Sequence, residues 1–208
     1  MKIAIIGAGN VGRALGVGWA AKGHQLRFGA RDVASDKVRA AVAATPGATA
    51  HPVPEAARWA EVVVLATPWS GTEAALRAAG DLGGKPLLDA TNPLTPDFKL
   101  ALGHTDSGGE QVQRWAQGAQ VVKIFNTTGW ENMAAPAYPA GRAAMLYCGD
   151  DAPAKAAASQ LAADLGFEPL DLGPLAEARL LEPAAMVWIK LAIVRQQGRG
   201  IAFGLLRR

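Results

Sequence analysis

A doubly wound α/β fold with a mainly parallel sheet is predicted by three features of this 208-residue chain. Lys2 to Ile6 is a short apolar run that stops at Gly7-Ala8-Gly9-Asn10-Val11-Gly12, and the alanine-rich segment Arg13 to Lys22 follows, closed by Gly23. That order is strand, glycine turn, helix. Val62 to Ala66 is uninterruptedly apolar, as in a parallel strand covered on both faces. Strand-like and helix-like segments then alternate to about Leu172, the pattern of one layered domain.

The first unit explains its own glycines. Gly7 makes the tight turn off the strand. Gly9 lets the backbone approach a pyrophosphate, where a Cβ would intrude, and Gly12 lets the helix pack closely on the strand. The helix N-terminus offers unpaired N–H groups and a partial positive charge to phosphates. Gln25 to Phe28 is the second strand. A unit that binds NAD places a carboxylate for the ribose at the end of this strand, about 20 residues past the glycines. Here that end reads Gly29-Ala30-Arg31-Asp32. Small Ala30 and cationic Arg31 suit the 2′-phosphate of NADP(H), which a guanidinium grips with a bidentate pair contributing about 1.5–3 kcal/mol. Lys37 and Arg39 add charge nearby. The alternative is that Arg31 is a solvated loop residue and Asp32 takes the ribose.

Further along, Asp36 to Ala44 is a helix stopped by Pro46 and Gly47. Ala48 to His51 is a strand and Pro54 to Trp59 a short helix. The strand Val62 to Ala66 ends in Thr67-Pro68-Trp69, and the helix Thr72 to Ala79 follows. Pro86 to Ala90 is a strand ending Asp89-Ala90-Thr91-Asn92-Pro93. A long polar loop, Leu94 to Gly109, comes next; loops of this length are usually functional. Glu110 to Ala116 is a helix. Gln120 to Phe125 is a strand ending Asn126-Thr127-Thr128-Gly129-Trp130. Ala143 to Cys148 and Phe167 to Leu172 are strands around a helix, Pro153 to Leu165. Glu182 to Gln197 and Ile201 to Leu206 finish the chain as helix. In such sheets ligands lie beyond the carboxyl ends of the strands. The expected whole is a Rossmann-type domain over residues 1–174, with a short C-terminal helical extension over residues 175–208.

Half of the residues are hydrophobic (50%), enough for a sizeable core. Lys and Arg number 21 against 18 Asp and Glu, dispersed except for Arg207-Arg208, which argues against a nucleic-acid surface. The single cysteine, Cys148, rules out an intramolecular disulfide framework and sits in an apolar stretch, as a buried thiol would. No signal peptide is expected before the first strand. The apolar stretch Ala184 to Val194 holds Lys190 and is too short for a bilayer, so the expectation is a soluble, cytoplasmic chain.

No Ser/His/Asp spacing, metal-ligand cluster or carboxylate pair stands out, so no catalytic side chain and no metal are assigned. His24 reads as a helix cap or surface residue and His51 as structural; His104, in the long loop, is a site candidate. Lys123 ends an apolar strand and is expected in a structural ion pair with Asp89. Trp69 and Trp130 are suited to wall a flat ring. Trp188 belongs to the core or an interface, because Ala184, Val187, Trp188 and Leu191 share helical spacing. Met186, Ile189 and Ile193 make that helix apolar on nearly every face, which points to a homodimer through Glu182 to Arg208.

Taken together, these motifs resemble the NADP-dependent reductases related to the deazaflavin (coenzyme F420):NADP oxidoreductases. The resemblance is carried by Ile5-Ile6-Gly7-Ala8-Gly9-Asn10-Val11-Gly12, Gly29-Ala30-Arg31, Ala66-Thr67-Pro68-Trp69, Asp89-Ala90-Thr91-Asn92-Pro93 and Lys123-Ile124-Phe125-Asn126-Thr127. It runs to about Leu172, and membrane-bound ferric reductases carry a similar domain. It implies that Gly9 to Gly12 line the pyrophosphate, Arg31 holds the 2′-phosphate, and Ala66, Thr67 and Pro68 lie along the nicotinamide. The Asn126 region would border the nicotinamide and a second, flat substrate. The archaeal deazaflavin enzymes carry a hydroxyl residue in place of Ala30 and a histidine soon after the Pro-Trp turn, where this chain has Ser70-Gly71-Thr72; those departures bear on the acceptor more than on NADP(H).

The expected reaction is hydride transfer between NADP(H) and a deazaflavin (coenzyme F420) or flavin-like acceptor, which chiefly needs proximity and orientation. Two readings compete. One is reduction of a small imine or keto acid, whose enzymes usually append a larger helical domain than the residues after Leu172 supply. The other is a non-catalytic NADP-binding redox sensor, compatible with the missing catalytic pair.

Overall fold

The computed structural model describes residues 1–139 and 141–208. Strands and helices alternate as β1 Lys2–Ile6, α1 Asn10–Ala20, β2 Gln25–Ala30, α2 Asp36–Ala44, β3 Thr49–Pro52, α3 Val53–Trp59, β4 Val62–Leu65, α4 Trp69–Ala79, β5 Pro86–Asp89, α5 Gly108–Trp115 and β6 Gln120–Lys123. A short helix, α6 Trp130–Ala134, and a small hairpin, β7 Ala137–Tyr138 and β8 Gly141–Arg142, come next. Then follow β9 Ala144–Gly149, α7 Ala152–Leu165, β10 Glu168–Asp171, a 3-10 turn at Leu175–Glu177 and α8 Ala178–Ile189, which runs on as a π-helical turn, Lys190–Val194.

Eight strands form one sheet in the order β10-β9-β6-β5-β4-β1-β2-β3. The six from β3 to β6 run parallel, β9 runs antiparallel to β6, and β10 runs parallel to β9. The doubly wound, mainly parallel sheet read from the sequence is therefore the one observed. Alternation along each strand divides the core into two layers. Ile3 and Ile5 point toward Leu15, Trp19 and Leu161 of α1 and α7. Ala4 and Ile6 point toward Ala56, Leu76 and Val112 of α3, α4 and α5, on the side that also receives Leu181 of α8. Covering both faces is what requires the unbroken apolar runs of β1 and β4.

The chain winds outward from β1 through β2 to β3, then returns to place β4 on the other side of β1. The carboxyl ends of β1 and β4 thus form the switch point where such folds open a crevice. Gly7 stands there at φ +113°, and a Cβ on it would lie 2.5 Å from the Ala66 carbonyl oxygen. A Cβ on Gly12 would lie 2.0 Å from the Gly7 oxygen and 3.0 Å from Ile5. Both glycines are thus steric necessities of the turn itself.

The structure departs from the sequence reading in specific places. The first helix starts at Asn10, not Arg13, because Gly9 serves as its N-cap and Gly12 packs within its first turn. The helix α6 and the β7–β8 hairpin are too short to show a period. The last helix starts at Ala178 rather than Glu182 and accommodates Pro183. Ile201 to Leu206, expected as helix, has no regular secondary structure. Gly204 interrupts this stretch, and Gly198 and Gly200 precede it. Its carbonyls also serve other elements: Ile201 O accepts from Trp188 Nε1 at 2.7 Å and Asn132 Nδ2 at 2.8 Å, and Phe203 O accepts from the Ala144 N–H at 2.8 Å. Among the described residues no helix is long and apolar enough to cross a membrane. Gly12→Ala should destabilise the protein by about 1–3 kcal/mol, the usual cost of overpacking; an unchanged urea midpoint would contradict the contact that Gly12 makes with Gly7.

Candidate functional site

At the head of α1 the Gly9 carbonyl accepts from the Arg13 N–H at 2.9 Å. No side chain caps this helix and no acidic residue occupies its first turn. Its leading N–H groups and their partial positive charge therefore have no side-chain partner, the condition under which a helix N-terminus can take an anion. A Cβ on Gly9 would meet only the side chain of Lys37, with Nζ at 3.6 Å, so the approach to Gly9 is open and is flanked by an ammonium.

The end of β2 supplies further charge. Arg31 is exposed and makes no ion pair among the described residues, whereas the Asp32 carboxylate accepts from the Ala34 N–H at 2.9 Å in a local turn. Arg39 is committed to Asp36 and to the Ala34 carbonyl. Among the described residues Arg31 and Lys37 make no ion pair and are free to meet a phosphate at this end of the sheet. The engagement of Asp32 in its own turn weighs against its taking a ribose.

A cleft of about 630 Å³ opens between the head of α1 and the ends of β4 and β5. Val11, Ala66, Thr67, Pro68, Trp69 and Asn92 lie on its wall, and the loop from Leu94 to Ala101 closes its far side. No ionisable side chain is among the described lining residues. The Thr67 hydroxyl pairs with that of Thr72 at 3.0 Å, and the Thr72 hydroxyl donates to the Pro68 carbonyl at 3.2 Å, which holds the turn into α4. Trp69 packs on Trp115 of α5, with ring centroids 5.2 Å apart and a 38° tilt. Trp69 is the one aromatic residue on the described cleft wall.

Beneath the cleft lies a buried charge cluster. Lys123 Nζ is 2.9 Å from Asp89 Oδ2 and 3.1 Å from Glu182 Oε1, and it donates to the Thr91 carbonyl at 2.6 Å. All three charged side chains are at most 1% exposed. Burial alone pushes the lysine down, but the two carboxylates outweigh it and hold Lys123 above its ordinary value. Asp89 Oδ1 also accepts from the Thr91 N–H and hydroxyl, at 2.9 and 2.7 Å. Glu182 accepts from the N–H groups of Gly108 and Gly109, both at 2.9 Å, at the start of α5. There a carboxylate also meets the favourable end of the helix dipole. The Lys123–Asp89 pair is the one the sequence suggested. Glu182 was missed, and its signal was a lone carboxylate inside an otherwise apolar segment.

Asn126 does not line the cleft wall. It is 4% exposed and lies behind Asn92, to which it is hydrogen-bonded; Thr127, next in the same strand-end turn, is equally buried and is likewise absent from the wall. Phe125 precedes it at φ +62°, a left-handed conformation unusual for a phenylalanine. Its ring is buried edge-on to Trp19, with centroids 5.7 Å apart. Ala8 packs against the core beside Val11, and Ala30 is half-buried at the end of β2.

The remaining candidates lie elsewhere. His104 faces a separate hollow with Arg179 and Pro183. His24 pairs with Asp164 at 2.9 Å, and His51 contacts Thr49 at 3.0 Å. Trp130 packs against the core, and Trp188 is buried over Gly129. Burial pushes the Cys148 thiol up to about 12, which makes it inert. Among the described residues no group of His, Cys, Asp and Glu is arranged to hold a metal.

Lys123→Met should cost about 3–5 kcal/mol, because it strands two buried carboxylates. A urea midpoint within error of wild type would show that the cluster is not holding α8 to the sheet. In the wild type, the stabilisation from the raised Lys123 value is complete below the ordinary lysine value of 10.5 and is lost as pH rises through the higher folded value.

Comparison with known proteins agrees with this geometry. Residues 2–93 match the family described as NADP oxidoreductase, coenzyme F420-dependent. A solved structure from Arthrobacter sp. FB24, assigned as an F420-dependent NADP-reductase, is 35% identical with a TM-score of 0.91, and each chain is covered in full. The hypothetical protein SMa0349 from Sinorhizobium meliloti is 28% identical with a TM-score of 0.76, over 100% of this chain and 96% of that one. The metalloreductase STEAP3 of Rattus norvegicus is 32% identical over 191 residues, which are 87% of this chain and 36% of that protein. The chain thus spans about a third of the length of that relative. With its glycine turn, its switch-point cleft and a full-length relative at 35% identity, this chain belongs to the coenzyme F420-dependent NADP oxidoreductase family.

Proposed function

We propose that this chain carries hydride between NADP(H) and a flat acceptor of the deazaflavin type, coenzyme F420, or of the flavin type. The observation that carries the reading is the cleft, which adjoins the open glycine turn and holds no ionisable side chain on its described wall. Reduction of a carbonyl or imine concentrates charge on one oxygen or nitrogen, and an enzyme for it places a proton donor at that atom. A ring system that delocalises the charge takes its proton from solvent and needs only to be held flat. A wall of Ala66, Thr67, Pro68 and Trp69 supplies that surface and no acid.

The nucleotide fits the residues present. Gly9 leaves its side of the turn open, the head of α1 presents uncapped N–H groups to a pyrophosphate, and Arg31 with Lys37 would hold the 2′-phosphate. Bound there, the nicotinamide supplies or receives the hydride, and the chain contributes binding, orientation and exclusion of water. NADPH and NADH titrations of wild type and Arg31→Ala, followed by NADPH oxidation with FMN and with a deazaflavin, test this. Wild type should prefer NADPH about ten- to a hundredfold, and the variant should lose most of that preference. Equal binding of both nucleotides by wild type would reassign the ribose to Asp32. Selective binding without turnover by any acceptor would favour a redox sensor.

We also propose a homodimer through the C-terminal segment. Val187, Leu191, Ile193 and Val194 are exposed along α8 and its π-helical turn, and Leu205 and Leu206 are exposed in the tail. Clustered apolar exposure of this kind marks an interaction surface. Light scattering at micromolar concentration should give twice the chain mass of 21.5 kDa, and Ile193→Glu should halve it; a monomeric wild type would count against the dimer.

A further inference from the structure

Most polar groups of the cleft are spent on the chain itself. The Thr67 hydroxyl is paired with Thr72, the Thr91 hydroxyl donates to Asp89, and the Thr95 hydroxyl accepts from the Lys99 N–H at 3.0 Å. Asn92 differs. Its Oδ1 accepts from Asn126 Nδ2 at 3.1 Å and its Nδ2 donates to the Asn126 carbonyl at 3.0 Å. Two reciprocal bonds hold its carboxamide in one plane.

The orientation of both amides follows from their partners. Asn126 Nδ2 faces two acceptors, Asn92 Oδ1 and the Leu181 carbonyl, the latter at 3.2 Å. Flipping Asn126 would set oxygen against oxygen twice. The cost of the observed arrangement is visible, since Asn126 Oδ1 is buried with no partner. Held in this way, Asn92 retains one N–H and one lone pair on Oδ1. These two point to opposite ends of the carboxamide, because the reciprocal pair with Asn126 occupies the edge that Oδ1 and Nδ2 share; Asn92 lines the cleft, so each is offered singly to whatever lies there. The complement of the free Oδ1 lone pair is an N–H.

We propose that Asn92 is a specificity-determining residue whose free Oδ1 lone pair accepts from a carboxamide or imide N–H in the cleft, and that Asn126 is the positioning residue that holds it. The identity of the cleft's ligands rests on the hydride-transfer reading. Two molecules of that reaction carry such an N–H: the carboxamide of the nicotinamide, and the pyrimidinedione ring of a flavin or deazaflavin.

Two binding comparisons separate these sources without requiring turnover. One sets NADP⁺ against its 3-acetylpyridine analogue, in which a methyl replaces the NH₂. The other sets lumiflavin against N3-methyl-lumiflavin on NADP⁺-loaded protein, read by flavin fluorescence. Wild type should favour the unmodified partner about three- to tenfold in one comparison, the worth of one hydrogen bond, and that comparison names the source. Asn92→Leu should abolish the preference. Asn126→Ala should reduce it while thermal melting shows a folded chain, and Asn126→Ser takes its place if that variant does not fold. No preference in wild type, or a full preference surviving in Asn92→Leu, overturns the proposal. A folded Asn126 variant with the full preference removes its positioning role. Failure of every acceptor to oxidise NADPH would defeat the hydride-transfer reading while leaving the nucleotide comparison intact.

Discussion

Lys123 is a fully buried cation, and the cleft side of the molecule is arranged to make that tolerable. Asp89 comes from the neighbouring strand and Glu182 from the C-terminal helix, so one ammonium joins β5, β6 and α8. A buried ion pair adds little net stability over an apolar substitute, but loss of one partner is severe because the others are left charged in a poor solvent. The cluster therefore works as a constraint on geometry. Through the Thr91 carbonyl it fixes the turn after β5, and through Gly108 and Gly109 it fixes the start of α5.

Those two consequences meet at the cleft. The turn after β5 presents Asn92, and α5 carries Trp115, on which Trp69 rests. The C-terminal helix also supports that wall from behind, where the Leu181 carbonyl accepts from Asn126. The site is thus assembled from both ends of the chain. The glycine turn of β1 and α1 forms one side, and the side that would face an acceptor takes its shape from residues far along in sequence.

Much of this was legible in the amino-acid order, where the cause is local. Gly7 and Gly12 follow from the sterics of a strand turning directly into a helix, and the distances at Ala66 and at the Gly7 carbonyl bear that out. The run Val62 to Ala66 announced a strand covered on both faces. Arg31 was visible as a cation where a carboxylate would select the other nucleotide. The tail was misread because Ile201 to Leu206 is apolar enough for a helical face, although its carbonyls serve Asn132, Trp188 and Ala144. Composition does not show where a carbonyl finds its donor.

Local pattern settled the strand–turn–helix units, their parallel stacking and the glycine turn, because sterics and hydrophobic period act within a few residues. Tertiary packing decided that Glu182 completes the charge of Lys123, that Asn126 stands behind Asn92, and that Trp115 supports Trp69. Each of those pairings spans between 34 and 59 positions of sequence. Each exists because burial leaves a polar group or ring needing a partner, and only the folded chain determines which partner is within reach.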